Sequence, residues 1–196
     1  MDYIRYVIAL VLTVAVPAAI VFWLLIHPFV RFWRRLGTVP AYAIVCTMVA
    51  AVMATAVSFR GRLLAADFGL NVPLAVVGLI LLFLSGRLLL RLRRKLKVRV
   101  LIGVPELSSD TEAGKLITDG IYATVRNPRY SQMTLAILGY ALIANYPAAY
   151  GAFLFWCVGI YVVTLLEERE LSARFGEAYR DYVRRVPRFV PRLRRR

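Results

Sequence analysis

Four stretches of this chain carry no charged side chain for longer than a soluble domain tolerates. Residues 6–26 and 39–59 are each uncharged over 21 positions, 68–86 over 19, and 131–166 over 36. At about 1.5 Å per residue, a run of roughly 20 crosses a hydrocarbon core of about 30 Å. The longest run, as one helix, would overshoot that core by ~24 Å and must break. Asn145-Tyr146-Pro147 is the breaker, a turn signal that folds the run into a tight helical hairpin. Composition agrees: 60% of residues are hydrophobic and 19% charged, against about 45–50% and 25% in soluble domains. The expected fold is an all-α integral membrane protein of about five transmembrane helices, the last two paired as a C-terminal hairpin. The first run lacks a small-residue cleavage site and is expected to be a retained helix.

The charges that remain are lopsided. Lys and Arg number 26 against 11 Asp and Glu, a formal net charge of +15. Arg5, Arg60 and Arg62 fall on one side of the expected topology, and the other 23 basic residues share the opposite side. By the positive-inside rule that side is cytoplasmic, with the N-terminus outside and the C-terminus inside, most simply in a cell's inner membrane. The same charge attracts anionic membrane lipids. No pattern of base-stacking aromatics accompanies it, so nucleic acid is not the expected partner. Cys46 and Cys157 lie inside apolar runs and His27 stands elsewhere, which leaves no metal-ligand cluster and no Cys/His nucleophile pair.

The chain reads as one membrane domain: residues 1–99 hold three N-terminal spans, and 100–196 hold the hairpin and the sizeable polar segments. In the tail, Leu171, Phe175, Tyr179, Tyr182 and Val186 recur at helical spacing, with Arg174, Glu177, Arg180, Asp181 and Arg184 filling the other side. That predicts an amphipathic helix at the interface or capping the bundle, ended by Pro187 and Pro191.

Two polar clusters carry the candidate chemistry. Pro128 biases Asn127 away from helical geometry and starts the fourth span, leaving Arg126 and Asn127 at the membrane surface. Glu167 and Glu168 follow the last apolar run, where carboxylates face anionic lipid unless a cation is near. Each cluster alone also reads as a membrane anchor or as an arginine–carboxylate pair. A hairpin bent at Tyr146 brings both to one corner, with arginine, amide, phenol and carboxylate groups above apolar helices.

The residues from Lys115-Leu116-Ile117-Thr118-Asp119-Gly120-Ile121-Tyr122 through Arg126-Asn127-Pro128-Arg129-Tyr130 resemble the signature of the isoprenylcysteine carboxyl methyltransferase family, which is related to the membrane phospholipid N-methyltransferases. Glu167-Glu168, Phe175-Gly176, Tyr179, Tyr182, Val186-Pro187-Arg188 and Pro191 continue the resemblance. It implies S-adenosylmethionine as methyl donor and a lipid or isoprenoid acceptor. It further implies that Lys115, Leu116, Ile117 and Gly120 line the adenosine, and that Tyr122, Asn127 and Tyr130 hold the cofactor. Arg126 and Glu167 would flank its methionyl part or the acceptor as the catalytic pair, with Glu168 the second carboxylate. Asn127 stands where the family has histidine, so that position orients rather than moves a proton. Gln132 replaces a small residue beside the expected acceptor pocket. A NADPH-dependent membrane reductase of the sterol-reductase-like type, or a membrane protein without enzymatic activity, are the competing readings.

Overall fold

A computed structural model describes residues 1–93 and 116–192, and its regular elements there are all helical. Helix α1 (Asp2–Ile26) leads through a short helix α2 (Val30–Leu36) into α3 (Thr38–Ser58) and a single turn, α4 (Arg60–Leu63). Helix α5 (Val72–Arg93) follows, then the hairpin of α6 (Pro128–Ala144) and α7 (Pro147–Phe175), and last α8 (Glu177–Arg185). Four of these, α1, α3, α5 and α7, are long and apolar enough to cross a membrane. At 17 residues, α6 spans ~26 Å, at the lower edge of the crossing range.

The core lies where α1 packs against the hairpin. Leu12, Val16, Ile20 and Trp23 of α1 meet Ile137 and Ala141 of α6 and Trp156, Ile160 and Val163 of α7. Helix α3 rests on α1, and α5 rests on α6. Both flanking helices leave most of their apolar surface outward, as helices apolar on all sides do in lipid. Small residues set the approach of α5 to α6: a Cβ on Gly78 would lie 2.6 Å from the Gly139 carbonyl oxygen, the close backbone contact that glycine permits between membrane helices. One polar clasp joins the same pair. Gln132 Nε2 donates to Ser85 Oγ at 2.7 Å, and Ser85 Oγ donates to the Gln132 carbonyl at 3.0 Å.

The hairpin turns at the expected residues. Asn145 sits in the left-handed region at φ 55° and ends α6, and Pro147 opens α7, where its missing N–H costs nothing. At this end of the bundle Arg5, 1% exposed, uses all three guanidinium nitrogens. Nε donates to the Ala144 carbonyl at 3.0 Å, Nη1 to Asp2 at 3.2 Å and Nη2 to Asp67. Burial works against the Asp67 carboxylate, but the Gly69 amide and the Arg5 guanidinium outweigh it and hold the carboxyl below its usual range.

Three elements differ from expectation for identifiable reasons. Helix α1 begins at Asp2 rather than residue 6 because Arg5, paired on every nitrogen, can be buried inside a span. Residues 68–71 are loop, and α5 starts at Val72 and runs on to Arg93: the Phe68 amide and Gly69 carbonyl bond Asn145 instead of entering a helix. The tail is not one amphipathic helix. Residues 167–175 continue α7, and Gly176 at φ 58° breaks the chain before α8, a conformation that favours glycine. The apolar face of α8 then packs Tyr179, Tyr182 and Val186 against Leu116, Leu171 and Phe175.

Candidate functional site

The corner opposite Arg5 is assembled from three short segments. Gly120–Ala123 forms a 3-10 turn entered through Gly120 at φ 61°. Residues 126–127 lead into α6. After α8, Val186 turns extended, because Pro187 cannot continue a helix. The extended strap then runs beside 126–127. The Arg126 amide donates to the Pro187 carbonyl at 2.9 Å and the Asn127 amide to the Arg188 carbonyl at 3.0 Å. Ser131 Oγ adds a 2.7 Å bond to the Phe189 carbonyl, and Asn127 Nδ2 a longer one, 3.4 Å, to the Arg188 carbonyl.

Beneath the strap sits a charged node. Arg126 Nη2 lies 3.0 Å from Glu168 Oε1. Arg188 grips the same carboxylate in a fork, Nε to Oε1 at 2.9 Å and Nη2 to Oε2 at 2.8 Å. The Arg126 side chain is only 7% exposed and that of Glu168 14%. Among the described residues, Nε and Nη1 of Arg126 have no hydrogen-bond partner although both are buried. Such groups cost about 1–3 kcal/mol when left unpaired. Bonding to Glu168 outweighs burial and raises the Arg188 pKa further above its already high value.

Phenols surround the node. Tyr182 donates its hydroxyl to the Tyr122 carbonyl at 2.6 Å. Burial, then the negative charge of Glu167, push the Tyr122 hydroxyl up to about 12, with Arg129 opposing. Tyr182 is likewise pushed up to about 12, by burial first and by Tyr122 next. Tyr179 rises too, through burial and then Glu168. All three therefore stand as neutral donors near pH 7.

On the other side of the strap a cavity of about 880 Å³ opens between α5, α6 and α7. Its wall is mostly apolar, with Leu88 and Arg91 from α5, Thr124 from the turn, Tyr161 from α7 and Phe189 from the strap. Tyr161 joins the two spaces, because its ring lies 5.3 Å beneath the Arg188 guanidinium.

The expected neighbours do meet, in that Arg126 reaches Glu168 directly. Glu167 is half-buried beside Tyr122. Tyr130 is buried in the main core, and Leu116 packs on the α8 cluster. Ile117 is exposed, and Gly120 lines the cavity. Lys115 falls outside the described residues. Gln132 turns to Ser85 on α5 and is not among the residues lining the cavity. Sequence reasoning gave no task to Arg188, Tyr161, Leu88 or Arg91. The bracketing Pro187 and Pro191 were a usable sign that the tail lies extended, within reach of another segment.

Residues 73–178, from the start of α5 into α8, match the phospholipid methyltransferase family. Methanethiol S-methyltransferase 2 of Bradyrhizobium diazoefficiens is 40% identical over 80 residues, which is 37% of this chain and 27% of that protein. The chain thus spans about a quarter of the length of the curated relative it matches. No solved structure matches.

Proposed function

This chain belongs to the phospholipid methyltransferase family, and on that premise we propose that it moves a methyl group from S-adenosylmethionine to an apolar acceptor at the cytoplasmic boundary of the membrane. The observation that carries the reading is that Nε and Nη1 of Arg126 are buried and, among the described residues, have no hydrogen-bond partner. A buried guanidinium with donors unused is an incomplete anion site, and the methionyl carboxylate is an anion that either nitrogen can bind. When bound, the cofactor supplies an electrophilic methyl on a sulfonium.

The residues of the corner fit that group. Arg126 would take a carboxylate oxygen on Nε or on Nη1, the two nitrogens that Glu168 does not use. Glu167, set beside Tyr122, would face the cationic part of the methionyl group. Glu168, gripped by two arginines, acts through Arg126. The backbone of Leu116, Ile117 and Gly120 would border the adenosine. Tyr122 would supply an aromatic wall, and Tyr130, buried in the main core, would back it from behind. Asn127 has its amide and Nδ2 turned to Arg188, so it orients the strap and moves no proton. Because the tyrosines remain protonated, the chain's contribution is alignment and exclusion of water. The 880 Å³ cavity lies within the roughly 300–1,000 Å³ of small-molecule sites and would hold a lipid or isoprenoid body. Residues 100–196 then form the catalytic region, to which α5 adds Leu88 and Arg91, while α1 supports it and α3 lies against α1. The concentration of arginine at this end supports a cytoplasmic side for it.

The test is a calorimetric titration of the full chain in detergent with S-adenosylhomocysteine, comparing wild type with Arg126→Gln and Glu167→Gln. Wild-type binding that falls at least about tenfold in Arg126→Gln, some 1.4 kcal/mol, supports the reading. Undiminished binding in both variants removes the site assignment. Stabilisation by NADPH and not by S-adenosylmethionine would reject methyl transfer. Donor consumption with a phospholipid amine, a prenylated acid and a small thiol as separate arms then assigns the acceptor.

A further inference from the structure

We infer that Arg188 is a positioning residue whose task is to keep Arg126 open to an incoming carboxylate. The inference rests on the cofactor reading above and deepens it. An arginine beside a carboxylate ordinarily closes on it with two parallel N–H bonds. Arg126 closes on Glu168 with one nitrogen only, Nη2 at 3.0 Å, and the reason is on the other side of the carboxylate. Arg188 already occupies both oxygens, at 2.9 and 2.8 Å. Glu168 is held in that fork and cannot rotate to take a second Arg126 nitrogen.

The fork is itself anchored. The Arg188 carbonyl accepts from the Asn127 amide, the strap is tied again by Ser131 to the Phe189 carbonyl, and the guanidinium lies over the Tyr161 ring. Two guanidiniums thus share one carboxylate in a largely buried space. Removing Arg188 leaves Glu168 a single cationic neighbour in the node, and the way to recover its lost bonds is to turn onto Nε or Nη1 of Arg126. The anion site would then be filled from within.

This predicts a reversal that a purely structural part for Arg188 does not. Dissociation constants for S-adenosylhomocysteine are measured on detergent-solubilised full chain for wild type, Arg188→Gln, Glu168→Gln and the double variant. Arg188→Gln is expected to weaken binding about 10- to 100-fold, the scale of one or two charge-assisted hydrogen bonds. The double variant, which lacks the competing carboxylate, is expected to recover to within about threefold of Glu168→Gln alone. A double variant as weak as Arg188→Gln, or weaker, overturns the inference, as does an Arg188→Gln with wild-type affinity. Should Arg188→Gln fail to fold, Arg188→Lys keeps the charge without the fork; it is expected to show a smaller loss with the same recovery on adding Glu168→Gln, and no recovery overturns the inference. Absence of binding in the wild type would overturn the cofactor reading and this inference together, whereas the variant results bear on the inference alone.

Discussion

Replacing Gly139 with alanine should loosen α5 from the bundle, and the structure sets the size of the effect. A Cβ there would lie 2.8 Å from the Gly78 carbonyl oxygen and 3.0 Å from Leu82 Cγ; at Gly78 it would lie 2.6 Å from the Gly139 carbonyl oxygen. Ordinary contact begins near 3.4 Å, so the helices must part by roughly 0.6 Å, and a backbone carbonyl cannot swing aside as a side-chain tip can. A gap of that order forfeits about a quarter to a half of each dispersion contact across the seam. Overpacking of this kind costs about 1–3 kcal/mol, while alanine in place of glycine returns up to about 1 kcal/mol of helix propensity. The expected net loss is ~1–2 kcal/mol, or a fall of about 2–8 °C in Tm for a chain of this size. The assay is a thermal ramp read by a thiol-reactive dye in a Cys46→Ser background, because Cys157 lines the cavity that α5 helps to wall. Gly86→Ala is the control: it lies on α5, the helix that Gly139 packs against, with nothing within 4 Å of the added Cβ, and should hold or raise Tm. A Gly139→Ala variant that behaved like Gly86→Ala would show that the α5–α6 seam is not set by this crossing.

Ser85→Ala should cost about 0.6 kcal/mol, the mean for a hydrogen bond between membrane helices, and leave S-adenosylhomocysteine affinity unchanged; a large loss of affinity would mean the Gln132 clasp shapes the cofactor space. In an alkaline titration, Tyr122 and Tyr182 hold their protons to about 12 when folded, against 10.0 ordinarily. Their contribution to stability is therefore complete below pH 10 and lost as pH rises through about 12, because the unfolded chain releases those protons first. Denaturation followed by tyrosinate absorbance should show stability falling across that window, less steeply in Tyr182→Phe.

The large features of this fold were legible because membrane insertion depends on sums over long windows. Uncharged length located the spans, and Asn145-Tyr146-Pro147 located the hairpin, since a left-handed residue and a helix-opening proline are written locally. The meeting of Arg126 with the acidic pair followed from hairpin topology alone. What stayed hidden depends on partners distant in sequence. Arg5 reads as a span-ending charge until Asp67 and Ala144, 62 and 139 residues away, are seen to take its donors. Arg188 reads as one of ten tail arginines until the strap lays it on Glu168, 20 residues back. Gln132 seemed to intrude on an acceptor pocket because helix spacing says which residues share a face, not which face meets α5. The break at Gly176 was the nearest miss: a glycine within an amphipathic pattern was there to be read as a stop.

The two buried arginines at opposite ends of the hairpin are chemically alike and differently finished. Arg5 spends every nitrogen on the fold and lies over the Tyr146 ring; among the described residues Arg126 spends one and leaves two buried nitrogens without a partner. Arg5→Gln should cost Asp67, whose side chain is 35% exposed, its cation, a loss of about 1.5–3 kcal/mol on the scale of a charge-assisted hydrogen bond, and lower Tm by some 3–12 °C. Arg126→Gln should do the opposite of what its burial suggests. Glu168 keeps the Arg188 fork, and two unsatisfied N–H groups, each a penalty of about 1–3 kcal/mol, are removed, so Tm should hold or rise while S-adenosylhomocysteine binding is lost. Residues kept against stability mark a functional demand. If Arg126→Gln lowered Tm as far as Arg5→Gln, the second guanidinium would be a strut like the first, and the idle donors would no longer argue for a ligand.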